Sequence, residues 1–110
     1  MDFTGKTVAL FGLGDQRGYG EWFVDGMGIL GEQVIKAGGT IIGHWSTEGY
    51  EYDHSKAEFE EGTFYGLAID EECQPDLTTD RLDTWTQELI PQFHAAMQHP
   101  ELSVQADAKP

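Results

Sequence analysis

The sequence predicts an α/β fold, a partial doubly wound parallel sheet of about three strand segments and two main helices, completed by oligomerisation. Three observations lead there. The apolar run Val8-Ala-Leu-Phe11 stops at a glycine-rich, acid-bearing loop, Gly12-Leu-Gly-Asp-Gln-Arg-Gly-Tyr19, that opens a helix. A second apolar run, Thr40 to Trp45, follows a Gly38-Gly39 stop, and a third, Thr63 to Ile69, is followed by a long amphipathic stretch. Runs that are apolar on both alternations fit strands buried on both faces, as parallel sheets require.

The first strand is expected over Thr7 to Gly12, because β-branched and aromatic residues favour a strand over a short helix. A helix from Gly20 or Glu21 to Ala37 follows, with Phe23, Met27, Leu30, Val34 and Ala37 at helical spacing. Gly38-Gly39 then supplies a left-handed cap. Gly26, Gly28 and Gly31 each cost that helix roughly 1 kcal/mol against alanine, which points to close packing against the sheet. Thr40 to Trp45 is the second strand, so strand, helix and strand make a right-handed parallel crossover. Ser46 to Gly62 is a polar excursion between two segments of one sheet region, and Thr63 to Ile69 resumes the strand. Thr78 caps a final helix whose buried stripe is Leu82, Trp85, Leu89 and Phe93, with a kink or fray at Pro91. Residues 1–97 read as one half-domain and 98–110 as a disordered, proline-flanked tail.

The chain has 110 residues with 20 Asp and Glu against 6 Lys and Arg, a formal net charge of −14. Nucleic-acid binding is excluded on that balance, because affinity for a polyanion rests on neutralising phosphates. Acids crowd between Glu48 and Glu88, where Lys56 and Arg81 are the only Lys or Arg, so a basic partner is the natural complement and solubility is the plainer use. A lone cysteine, Cys73, excludes an internal disulfide and fits a reducing cytoplasm. No apolar run approaches bilayer length, so no membrane role is expected.

Several motif matches fail. Gly12, Gly14 and Gly18 miss the G-x-G-x-x-G dinucleotide spacing by one residue. Thr4-Gly-Lys-Thr7 precedes its strand, whereas a phosphate cradle must follow one. Asp70, Glu71, Glu72 and Asp76 lack the glycine and terminal glutamate of a calcium loop. The four histidines show no shared ligand face, no metal is expected, and no serine, histidine and acid assemble into a triad. Cys73, beside two carboxylates, should have a raised thiol pKa and be a poor nucleophile. Trp22, Trp45 and Trp85 lie in expected regular elements and read as core or half-buried. What remains is Tyr19 as a flat exposed face, with Asp15 and Asp70 each just past the carboxyl end of a strand, where open α/β sheets bind ligands. Either aspartate alone could simply cap its own loop. Tyr50 and Tyr52, amid acids, are expected to mark a contact surface.

Lys6-Thr-Val-Ala-Leu-Phe-Gly-Leu-Gly-Asp-Gln16, Gly18-Tyr19, His44-Trp-Ser-Thr-Glu-Gly-Tyr50 and Gly66-Leu-Ala-Ile-Asp70 closely resemble the C-terminal half of long-chain flavodoxins, over about Phe3 to Phe93. The resemblance implies an FMN-associated, single-electron carrier rather than an enzyme. It implies that Tyr19 stacks on the isoalloxazine ring, that Leu13, Gly14, Asp15 and Gln16 border its pyrimidine edge, and that Asp70 lies near the ribityl side. The family's phosphate-binding loop and second ring-covering loop belong to the other half. FMN binding by this chain alone is therefore expected to be weak or absent, and a copy of itself or a complementing half-flavodoxin should finish the site, with a basic redox protein as partner. The alternative is a flavin-free acidic interaction module derived from the same half.

Overall fold

The structure, a computed structural model, describes residues 2–98. The expected tail lies, from residue 99 onward, outside the described residues, and Gln98 itself closes the last helix.

The first extended run is one strand in two halves, Thr7–Ala9 (β1) and Phe11–Leu13 (β2). β1 pairs in parallel with Thr40–Ile42 (β3), and β2 pairs in parallel with Leu67–Ile69 (β7). Main-chain groups alternate sides along a strand. Thr40 N–H donates to Lys6 O, Leu67 N–H donates to Leu10 O and Gly14 N–H donates to Ile69 O, all at about 3 Å. These even-numbered positions face one edge, so β3 and β7 lie end to end along it. The main-chain groups of Thr7, Ala9, Phe11 and Leu13 face the opposite edge, which no described strand occupies.

The sheet carries a layer on each face. Val8, Leu10 and Ala68 pack with Phe23, Val24 and Met27 on the side of Asp25–Lys36 (α1), whereas Ala9, Leu67 and Ile69 pack with Trp85 and Leu89 of Thr78–Gln98 (α2). That is the expected doubly wound arrangement, in partial form.

The expected unbroken strands Thr40 to Trp45 and Thr63 to Ile69 are each cut. Gly43, at φ +76°, turns the chain out of the sheet, and a Cβ there would sit 2.6 Å from Leu89 Cδ2. Trp45–Ser46 (β4), Glu58–Glu60 (β5) and Thr63–Phe64 (β6) instead form a small antiparallel sheet in the order β4-β6-β5. The chain then returns to the main sheet as β7, so the excursion does separate two segments of one sheet region.

The helix expected from Gly20 also begins late. Gly20–Trp22 is a short 3-10 turn, and α1 starts at Asp25. The cause is competition for main-chain groups: Gly20 O accepts from Asp53 N–H and His54 N–H, and Phe23 N–H donates to His54 O. Val24 bridges the two pieces at φ 47°, ψ 33°, a left-handed conformation a β-branched residue resists, held here by a side chain only 4% exposed. The buried face of α1 is Met27, Gly28, Gly31 and Val34, while Leu30, expected inside, is 47% exposed. A Cβ on Gly28 would lie 2.3 Å from the Lys56 carbonyl carbon. Gly28 therefore admits the excursion's backbone, not the sheet. The helix ends as expected at Gly38, φ +94°.

α2 runs on through Pro91 to Gln98, so the helix does not fray there. Gln87, whose carbonyl loses its partner to the proline, is exposed to water. Trp85 anchors the helix by donating from Nε1 to Gly43 O at 2.7 Å, Leu89 and Phe93 are half-buried, and Leu82 is left on the surface. No helix among the described residues is long and apolar enough to cross a membrane.

Candidate functional site

β2 ends at Leu13 and the chain turns at once. Asp15 Oδ1 accepts from Gly18 N–H at 2.8 Å and Arg17 N–H at 3.1 Å, and Tyr19 N–H donates to Asp15 O at 2.9 Å. Asp15 is thus tied to its own turn, as an aspartate in such a loop commonly is. The Gly18 N–H is the main cause of its carboxyl lying below the usual value. This turn sets Tyr19 outward with 63% of its surface exposed, beside Leu13 at 70%. Tyr19 stands between two shallow concavities that share Leu13, Gly14 and Asp15. One, of about 260 Å³, is closed by Trp22 and the start of α1; the other, of about 350 Å³, by Glu71 and Glu72.

Gln16 and Asp70, expected on the rim, are turned inward. Asp70 is fully buried: its Oδ2 accepts from Gln16 N–H at 2.9 Å and Gln16 Nε2 at 2.8 Å, its Oδ1 from Glu72 N–H at 3.1 Å and Cys73 N–H at 2.8 Å. Burial pushes its carboxyl up, but these donors outweigh it and hold the pKa below the ordinary value. Gln16 is 7% exposed and also donates from Nε2 to Gln74 Oε1 at 2.8 Å, while its Oε1 accepts from Glu51 N–H at 2.6 Å. Both residues hold the aromatic loop from behind; neither presents a free polar face to the concavities.

Cys73 Sγ donates to Asp15 Oδ1 at 3.4 Å. The Arg17 N–H lowers the thiol pKa, but desolvation, the bond to Asp15 and the Asp70 charge together raise it, in the expected direction. Asp15, Asp70 and Cys73 bring ligand-type atoms within 4.8 Å of one another. The carboxylates are already engaged with N–H donors, so the trio reads as a loop clasp.

Tyr50 and Tyr52 are not a contact surface. Tyr50 is buried, donates its hydroxyl to Ala68 O and accepts from Trp45 Nε1 at 3.0 Å. Tyr52 stacks on Phe23 at 5.3 Å and donates to Glu58 Oε1. Trp22, expected to be core or half-buried, is 60% exposed beside Tyr19. Its signal was its place three residues after Tyr19, on the same side of a helical turn. Gln74, missed from sequence, accepts from Arg81 Nη1 as well as from Gln16 and donates to Gly49 O.

The family model described as Flavodoxin matches residues 1–85. A flavodoxin of Picosynechococcus sp. is 50% identical over 93 residues, covering 84% of this chain and 54% of the relative. Flavodoxin 1 of Escherichia coli K12 is 45% identical over 94 residues, 86% of this chain and 53% of the relative. The crystal structure of Fusobacterium nucleatum flavodoxin bound to flavin mononucleotide aligns with a TM-score of 0.74 at 45% identity, covering 84% of this chain and 55% of that one. The chain spans about half the length of the curated relatives it matches.

Proposed function

Because the chain belongs to the flavodoxin family, we propose that it is the FMN-facing, C-terminal half of a single-electron carrier whose site a second stretch of polypeptide completes. The observation that carries this reading is the Tyr19 ring, exposed at the end of a tight turn and flanked by concavities on both sides. Such a phenol offers a flat π-face for stacking. Leu13, Gly14 and Asp15 would border the ring, and Gln16 and Asp70 would hold that border in place without touching it.

When bound, FMN supplies a ring that takes up and releases one electron at a time. The protein's part is to exclude water from one face and set the local charge. Asp15 with Glu71 and Glu72 disfavours negative charge added nearby, which lowers the last reduction potential of a flat redox ring. The role is that of a carrier, with no substrate of its own.

The edge that no described strand occupies supports the second stretch. Phe11 and Leu13 are 61% and 70% exposed beside it, and a bare apolar edge is a template for pairing. A complementing half-flavodoxin is favoured over a copy of this chain, because two chains of −14 repel. A basic redox protein is the proposed partner of the finished assembly.

Size-exclusion chromatography with light scattering and a visible spectrum on the same peak tests both parts. Flavin absorbance in a heteromeric peak, and quenching of added FMN fluorescence, are expected. A well-folded assembly without absorbance or quenching would overturn the cofactor reading. It would leave the competing one, a flavin-free acidic interaction module, whose partner affinity should survive Tyr19→Ala.

A further inference from the structure

We propose that Gln16 is the positioning residue of the aromatic loop: its buried side-chain amide locks turn 15–19 to the excursion and to loop 70–74, and so fixes where Tyr19 stands. The site reading above supplies what Tyr19 is for; the positioning is a property of this chain alone.

The bonds around Asp15 and those around Gln16 do different things. Two of the bonds Asp15 accepts come from Arg17 and Gly18, two and three residues away, and they give the turn its shape. Gln16's side-chain bonds reach residues 35, 54 and 58 positions away, Glu51, Asp70 and Gln74, and they give the turn its place. The orientation of the amide is fixed by its surroundings, since Nε2 meets two acceptor oxygens and Oε1 meets an N–H. Through Gln74 the chain of bonds continues to the Arg81 guanidinium, so two amides connect a buried carboxylate to a cation. Tyr19 hangs from this turn by its N–H bond to Asp15 O. Loss of the Gln16 side-chain bonds would leave the turn's local bonds intact and free it from the excursion, with only Gln16 N–H to Asp70 Oδ2 and Cys73 Sγ to Asp15 Oδ1 still tying it to loop 70–74.

Two variants separate the amide's bonding from its bulk. Gln16→Met keeps most of the volume and makes none of the bonds. Gln16→Glu keeps the shape but faces Asp70 Oδ2 and Gln74 Oε1 with no N–H, and adds a like charge beside Asp70. Groups around the position are Asp70, Cys73 and Gln74 from loop 70–74, Glu51 from the excursion, Arg17 from its own turn and Arg81 through Gln74. The introduced carboxyl should have a raised pKa there, and on protonation it regains one donor toward Asp70, which stays ionised.

Amide hydrogen-exchange protection on the full chain is the measurement. At pH 7.5 both variants should lose about tenfold protection at Tyr19, the scale of one or two net hydrogen bonds, with the Val34 amide in α1 unchanged; Glu51 should lose protection in Gln16→Met only, because the carboxylate of Gln16→Glu still accepts its N–H. By pH 5 the loss should reverse in Gln16→Glu only. Unchanged protection at Tyr19, the same pH response in both variants, or loss of Val34 protection as well would each overturn the proposal. FMN titration of the completed assembly is a separate arm: absence of quenching there sinks the flavin reading and leaves the exchange pattern to judge Gln16.

Discussion

Tyr19 and Tyr50 sit in similar sequence: a polar, glycine-bearing loop with acids on either side. One ring is open to solvent and the other is core. The difference is made by what the backbone offers the hydroxyl. Tyr50 reaches Ala68 O on β7 and packs its ring against Phe23 and Phe64 at 5.7 and 5.4 Å, with the Arg81 guanidinium 4.2 Å over its face. Its burial pushes the phenol pKa up. Tyr19 follows a turn that leaves the residue 63% exposed beside Leu13. A tyrosine in a polar loop is thus drawn inward where a carbonyl and an aromatic cluster await it, and stays out where neither does.

The comparison breaks if the two rings respond alike to truncation. Tyr50→Ala should cost about 3–5 kcal/mol in denaturant unfolding, the range for a buried aromatic. Gly28→Ala tests whether the excursion that carries Tyr50 is pressed on α1 as tightly as the 2.3 Å approach implies. Overpacking there should cost about 1–3 kcal/mol despite the helix propensity gained, read as a lower unfolding midpoint.

Asp70→Asn sharpens the contrast between the loop's inner and outer sides, with an expected loss of about 2 kcal/mol at neutral pH because an amide donor would meet N–H groups. The pH dependence has a definite sign. Asp70 is held below its ordinary 3.8, so its contribution is complete above that value and is lost as pH falls through the lower folded one. Wild type and variant should therefore converge in acid, once pH has fallen through that lower folded value. The smallest effect belongs to Tyr19→Ala, within about 0.5 kcal/mol of wild type in stability, yet it should abolish FMN quenching by the completed assembly. A large stability loss there would show the ring to be structural.

The sequence made the doubly wound sheet legible through Val8 to Phe11, Thr40 to Ile42 and Leu67 to Ile69, because apolar runs bounded by a glycine are a one-dimensional signal. It also made Tyr19 legible, since nothing nearby in the chain competes for it. What it hid was set by distant partners. Trp45–Ser46 and Thr63–Phe64 look like continuations of strands until they pair with each other, and residues 20–24 look helical until residues 53 and 54 claim their main-chain groups. Asp70 reads as rim because it follows the carboxyl end of a strand, and Gln16 as a border of the site through the resemblance alone. Their mutual bonds, 54 residues apart, turn them inward.

Among the described residues no strand occupies one side of β1 and β2, and that flank gives added electrolyte two opposite consequences. Ions screen charge over about 8 Å at physiological strength. Attachment of a cationic protein to this acidic surface should slacken as salt is added. Zipping of identical polyanions along the vacant strand flank should be encouraged by the same addition. The sign of the change in scattering mass on a salt ramp thus tells which kind of neighbour has taken hold.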